Sequence, residues 1–418
     1  MRKILLLGGS FQQVVAIKTA KELGYYTVLC DYLLDNPGQY VADKYYNAST
    51  TDIEAVYKIA KEENVEGILA YASDPAALPA AVVAERLSLP TNPSKAVEVL
   101  GVKHKFRDHL QDNGFACPKH FTFSPEENLE KVIEKLKDFS FPIIIKPTDS
   151  SGSKGVTKLE NTEKVVGAIK SADSYSRNKI LIAEEYIQRG FPDVIGGDIF
   201  VSNGKIVLFG EMSCLRGNRG WGLLPIGEKK PSGLTDKQTN NVHKELQRLI
   251  TSLGICFGEM NIEIILDEQD NVHFLELGPR AGGNMIPIQL SDAFSVDLVK
   301  ANVQAAMGEK IELTPKEKEG CFMTYVLHSY KDGVFQSVDY AKEIKDNIYR
   351  EVIYKQAGER VEYFDGAGKA IGIVFLHFDT YEQMIKASKD MENLISIKLL
   401  ESSRGGVKCQ TNLQKLAA

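Results

Sequence analysis

The sequence predicts an α/β fold of about three units, and three observations carry that expectation. Strand-like and helix-like segments alternate through the first 95 residues, a strand ending in Lys146 runs into a Gly/Ser-rich hairpin, and two carboxylate-bearing strands follow one another between residues 261 and 277. The length of 418 residues agrees, at roughly 150 residues per domain.

The first unit is expected over residues 1–95. The strand Lys3 to Leu7 leads into Gly8-Gly9-Ser10, then a helical stretch to Leu23, and then the strand Thr27 to Asp31. A second cycle runs from the helix Asp52 to Glu63 through the strand Gly67 to Tyr71 and the turn Ser73-Asp74-Pro75 into a helix ending at Leu87. Such alternation implies a parallel sheet covered by helices. Gly8-Gly9-Ser10 sits where a nucleotide-binding turn would sit, with Asp31 at the next strand end, but Gln13 stands where a dinucleotide fingerprint needs its third glycine. A nicotinamide-dependent oxidoreductase is therefore a minor alternative.

The second unit is expected over 96–312. It opens with an amphipathic helix from Lys103 to Gln111 and a helix from Asn128 to Leu136. The apolar strand Pro142 to Lys146 then enters the hairpin Ser150, Ser151, Gly152, Ser153, Lys154, Gly155. Glycine allows backbone N–H groups to approach a polyphosphate closely, and Lys103, Lys146 and Lys154 supply cations. Strands are expected at Ile180 to Glu185, Asp198 to Ser202 and Ile206 to Gly210, and a helix at Asp236 to Leu253. The segment Glu211 to Trp221, with Arg216 and Arg219 among glycines and the only tryptophan, reads as a loop that holds an anionic or aromatic acid substrate.

Strand alternation puts Asn261 and Glu263 on one face, and the next strand carries Glu276 among apolar residues. Two carboxylates on neighbouring antiparallel strands suit a hard cation such as Mg²⁺, or Mn²⁺ in its place, which takes oxygen ligands and keeps phosphates in its shell. A structural ion pair between Glu276 and Arg280 is the alternative. The turn Gly278-Pro279-Arg280-Ala281-Gly282-Gly283 places a guanidinium beside those acids, suited to a developing oxyanion or an acyl phosphate. A third unit over 313–401 mixes strands (Cys321 to His328, Ala370 to Phe378) with a helix from Tyr381 to Met391. Residues 402–418 form a polar tail that includes a vector-like end.

Composition narrows the function classes. A formal charge of −6, with 43% hydrophobic and 25% charged residues, fits a globular protein and argues against a nucleic-acid binder. The longest apolar runs are strand-sized, so no membrane partner is expected. Six cysteines without a CxxC pair read as reduced thiols of a cytoplasmic protein.

Taken in order, Lys103, Lys146, the Ser/Gly hairpin, Glu184-Glu185-Tyr186-Ile187, Glu263 and Glu276-Leu277-Gly278-Pro279-Arg280 resemble the ATP-grasp superfamily, which includes carbamoyl phosphate synthetase, biotin carboxylase and the L-amino acid ligases. The resemblance covers about Arg2 to Leu400. It implies a Rossmann-like N-terminal domain, a split ATP-clamping α+β domain and a small C-terminal α+β part. Lys103 and Lys146 would then contact ATP phosphates under the 150–155 hairpin. The backbone of Glu184 to Ile187 would read adenine, Asp193 would touch ribose, and Glu263 and Glu276 would hold Mg²⁺. Arg280 would stabilise the intermediate, and Arg280 and Gly283 would contact the substrate. Gly278 departs from the family, where many members place an asparagine ligand. The implied activity is an ADP-forming carboxylate–amine ligase acting through an acyl phosphate on small molecules, in a chain whose relatives are commonly homodimers. A purine-pathway or bicarbonate-using enzyme, or a non-catalytic ATP-binding regulatory module, stands as the alternative.

Overall fold

The computed structural model describes residues 1–150, 152, 154–217 and 224–400. Four parallel strands form the N-terminal sheet: β1 (Lys3–Leu7), β2 (Tyr26–Asp31), β3 (Lys44–Asn47) and β4 (Gly67–Leu69). Their order is β3-β2-β1-β4, with β1 flanked by β2 and β4. The chain therefore reverses direction across the sheet between β1 and β4, which opens a crevice at the carboxyl ends of those strands. Gly8 and Gly9 follow β1 there, and the helix Asp74–Arg86 starts there after β4. β3 has no strong apolar signature; it is half-exposed and its pairing with β2 specifies it.

A second sheet is antiparallel and small: β5 (His120–Phe123), β6 (Ile143–Pro147), β7 (Thr157–Leu159) and β8 (Leu181–Glu185), in the order β5-β8-β6-β7. Strand alternation explains its two faces. Ile143, Ile145, Leu181 and Ala183 pack with Val132 and Leu136 of one helix and Val165, Ala168 and Ala172 of another. The intervening residues Ile144, Lys146 and Glu184 point the other way, into a cavity.

The large sheet supplies the opposite wall. Its strands are β9 (Ile195–Ser202), β10 (Lys205–Arg216), β11 (Pro225–Lys230), β12 (Phe257–Leu266), β13 (Val272–Gly278) and β14 (Cys321–Leu327). After β15 (Gly333–Tyr340) come β16 (Ile348–Ile353), β17 (Arg360–Val361), β18 (Gly372–Phe378) and β19 (Ile395–Leu400). Eight of them run β13-β12-β9-β10-β11-β14-β18-β16, all antiparallel, while β17-β15-β19 form a separate small sheet. The large sheet thus continues across the expected unit boundary at 312/313. One face is covered by the helix Asp236–Leu253, whose Val242, Leu246, Leu249 and Ile250 meet Ile262, Ile264 and Phe274. That helix starts at a capping box made by Thr235 and Gln238 and stops at Gly254 in the left-handed region.

Residues Glu211 to Arg216 differ from expectation. They lie within β10, hydrogen-bonded to β9 along Glu211 to Ser213 and to β11 along Ser213 to Arg216, and are not part of a loop. The glycines at 217, 220 and 222 suggested a loop, but two neighbouring strands extend the ladder to residue 216. Among the described residues no helix is long and apolar enough to cross a membrane, and five cysteines are free thiols.

Candidate active site

Between the sheet β5-β8-β6-β7 and the eight-stranded sheet lies a cavity of about 400 Å³. Near the segment Glu185-Tyr186-Ile187 its wall includes Ile187, Val194, Ile265 and Leu275, and the Lys158 ammonium stands 4.5 Å from the Tyr186 ring centroid. Elsewhere the wall is charged. Lys103, Lys146, Lys154, Lys158, Arg189 and Arg216 outnumber Glu184, Glu185, Glu263 and Glu276 among the described lining residues, a balance that favours an anionic guest. Lys103, Ser150, Lys154 and Glu276 are shared with a second cavity of about 500 Å³ that reaches Asp74 and Arg177.

Lys103 begins the helix Lys103–Asp112. Its backbone N–H donates to the Thr148 carbonyl at 2.9 Å, and its Nζ donates to the Ser150 carbonyl at 2.8 Å, so it ties the helix to the hairpin. Gly152 and Gly155 hold φ of +67° and +73°, which fits their place in that turn. Ser151 and Ser153 lie outside the described residues.

Lys146 and Glu184 form a buried ion pair across β6 and β8, and Arg107 reaches the same carboxylate through Nε at 3.0 Å. Burial brings the Lys146 ammonium down to about 8, with Glu184 opposing. For Glu184 burial pushes upward, but the Arg107 and Lys146 charges outweigh it and hold the carboxyl at about 2.

Glu263 and Glu276 face each other in register on β12 and β13, so their side chains emerge on one face as adjacent cross-strand neighbours. Each has a cation near it without close contact: Arg216 Nη2 is 3.6 Å from Glu263, and Lys103 Nζ is 3.9 Å from Glu276. Desolvation and the neighbouring Glu276 raise the Glu263 carboxyl, against the pull of Arg216 and Lys103. Two loosely held carboxylates that repel each other fit a divalent cation. No group of three His, Cys, Asp or Glu capable of holding a metal occurs among the described residues, so such a cation would complete its shell with water and phosphate, as Mg²⁺ does.

Arg280 sits apart from the cavity wall. Its guanidinium binds Asp74 Oδ1 of the N-terminal unit at 2.6 Å and donates to its neighbour's carbonyl, Ala281, at 3.0 Å. The Glu276–Arg280 pair entertained above is therefore replaced by Lys103–Glu276 and Asp74–Arg280. Gly283 packs against the same unit, with Asn284 N–H donating to Gln12 Oε1 at 2.7 Å. Asp193 accepts from Ser213 Oγ at 2.6 Å and Lys229 Nζ at 2.9 Å and does not line the cavity, although Val194 does. Arg219 and Trp221 lie outside the described residues.

Residues 103–314 match the family described as carbamoyl-phosphate synthase L chain, ATP binding domain. The chain belongs to that family. It is 24% identical over 317 residues to the carbamoyl phosphate synthase large chain of Clostridium botulinum, an alignment covering 72% of this chain and 28% of that protein. The chain thus spans about a quarter of the length of the large chains it matches. The crystal structure of the L-amino acid ligase of Bacillus licheniformis superposes with a TM-score of 0.79 at 18% identity, covering 96% of this chain and 99% of that one. The biotin carboxylase domain of the Hydrogenobacter thermophilus 2-oxoglutarate carboxylase, crystallised as a dimer with MgADP, ADP and bicarbonate, gives 0.76 at 18% identity, covering 95% and 91%. The fold is the ATP-grasp fold that these structures share.

Several residues around the cavity carry no signal of their place there in the sequence. Asp74 and Arg107 are two. A third is the buried Asp198, whose Oδ2 accepts from the Gly282 N–H at 2.7 Å and Oδ1 from Asn261 at 2.8 Å, anchoring the loop after β13. Burial raises Asp198 to about 6 and lifts the adjacent Glu259 further. Asn261 on β12 sits opposite Asp198 on β9, a pairing that alternation within either segment does not announce.

Proposed function

We propose that the chain is an ATP-dependent carboxylate–amine ligase that forms an acyl phosphate and releases ADP and phosphate. The observation that carries this reading is the in-register pair Glu263 and Glu276, set in one cavity with Lys103 and Lys146. This combination suits the triphosphate end of a nucleotide and a divalent cation, Mg²⁺ or Mn²⁺. The apolar stretch beside Glu185 to Ile187 suits a purine ring.

In this reading Lys103, Lys146 and Lys154 orient the phosphates so that a substrate carboxylate oxygen attacks the γ-phosphorus in line. The bond from the γ-phosphorus to the ADP oxygen breaks, and the charge that builds there is met by lysine ammonium groups already in place. A bound Mg²⁺ would supply further charge neutralisation. An amine nitrogen then attacks the acyl carbon, phosphate leaves with one oxygen from the original carboxylate, and the amine loses a proton. Arg280, held by Asp74 and four residues after Glu276, would meet the tetrahedral oxyanion. Arg216, Arg219, Trp221 and Gly283 would contact the substrate, and Asp193, which accepts from Ser213 and Lys229, would lie near the ribose end.

The test is turnover with MgATP and a panel of acids and amines. ADP and phosphate should appear only when both substrates are present, ¹⁸O from a labelled carboxylate should enter phosphate, and Glu276→Gln should abolish release. AMP and pyrophosphate as products, or phosphate free of ¹⁸O, would overturn the reading.

A further inference from the structure

Arg107 takes no part in the steps above, yet its side chain is fully buried. It lies one helical turn after Lys103. Its Nε donates to Glu184 Oε2 at 3.0 Å, while Glu184 Oε1 accepts from Lys146. Its Nη1 donates to the carbonyls of Phe274 at 3.1 Å and Leu275 at 3.2 Å, immediately before Glu276 on β13. One guanidinium thus touches β8 of the small sheet and β13 of the large one, from the helix that carries Lys103.

Burying such a charge is a poor device for stability alone, since well-packed apolar side chains commonly replace buried ion pairs without loss. The planar fork of arginine does something an apolar side chain cannot: it fixes directions. With Arg107 in place, Glu184 divides its two oxygens between two cations, and Lys146 is only partly engaged. Without it, both oxygens are free to take Lys146, and the direction of the ammonium is no longer fixed.

We propose that Arg107 is a positioning residue of the nucleotide site: by occupying one oxygen of Glu184 and the carbonyls before Glu276, it sets Lys146, Lys103 and Glu276 to meet one phosphate chain. The inference rests on the nucleotide reading of the cavity.

The test compares ADP and adenosine binding by calorimetry in the full chain, in Arg107→Met and in Arg107→Lys, below the melting temperature of each. Arg107→Met leaves a one-to-one Lys146–Glu184 pair, so no charge is orphaned. Arg107→Lys keeps the charge but loses the fork, and serves if the methionine variant does not fold. ADP affinity should fall about tenfold or more in Arg107→Met and less in Arg107→Lys. Adenosine affinity should stay within about twofold, because the purine end does not depend on Lys146. A purely structural role predicts equal losses for both ligands, and that result, or unchanged ADP affinity, would overturn the inference. Failure of the unaltered chain to bind ADP would overturn the nucleotide reading itself, and this inference with it.

Discussion

Replacing Lys146 by methionine should move nucleotide affinity and stability in opposite directions. An ordinary lysine titrates near 10.5, and burial brings Lys146 to about 8. At 1.36 kcal/mol per pH unit, holding it charged at pH 7 costs on the order of 3 kcal/mol. Methionine removes that cost with little change in length, and Glu184 keeps Arg107 as its partner. The variant should therefore melt a few degrees higher at pH 7. The difference fades with pH: between about 8 and 10.5 the unfolded lysine binds more protons than the folded one, so wild-type stability climbs across that window and the gap to Lys146→Met closes. For binding, a charge pair about 4 Å apart at an effective dielectric of ~20 is worth about 4 kcal/mol. Competition with Glu184 leaves roughly half, so ADP affinity should fall about 30-fold. Differential scanning calorimetry at pH 7 and 9.5 and ADP titration at pH 7 read both effects. A variant that melts lower at pH 7 and binds ADP as tightly as the wild type would refute the reasoning.

Two further outcomes are expected. Asp74→Asn leaves Arg280 buried without its carboxylate and should lower stability by roughly 3 kcal/mol at neutral pH in urea unfolding. Burial pushes Asp74 upward, but Arg280 outweighs it and depresses the carboxyl. The contribution is therefore full above the ordinary carboxylate range and disappears as pH falls through the depressed value, where variant and wild type should converge. Gly197→Ala should lower the urea midpoint by the equivalent of roughly 3 kcal/mol or more, because Gly197 holds φ of +108° and its Cβ would lie 2.0 Å from the Gly210 carbonyl oxygen; an unchanged midpoint would contradict that geometry.

What could be read from the chain alone was local. The helix Asp236–Leu253 has its cap and its stop written at Thr235 and Gly254, and the facing of Glu263 and Glu276 follows from strand periodicity and a short turn. The ion pairs that orient the site join residues 206 positions apart for Asp74–Arg280 and 77 apart for Arg107–Glu184. No spacing rule reaches that far, since such pairs exist only once separate units have packed. Arg107 in particular looks like any basic residue on an amphipathic helix. Cys321 to His328 was legible as a strand, but its partner β11 was not, because an antiparallel neighbour 91 or more residues away leaves no trace in either segment.

The continuity of the large sheet bears on where the protein can be divided. The stretch that matches the family, 103–314, ends before β14, and cutting there would strip β14, β18 and β16 from the sheet. β11 would become a bare edge, its unpaired N–H and C=O groups open to pairing with another chain. The apolar residues Ile226, Met323 and Phe375 belong to one core, and its remaining half would face water. The segment that matches the family thus does not complete the sheet that carries Glu263 and Glu276, and a fragment that keeps that sheet whole needs the chain through β18.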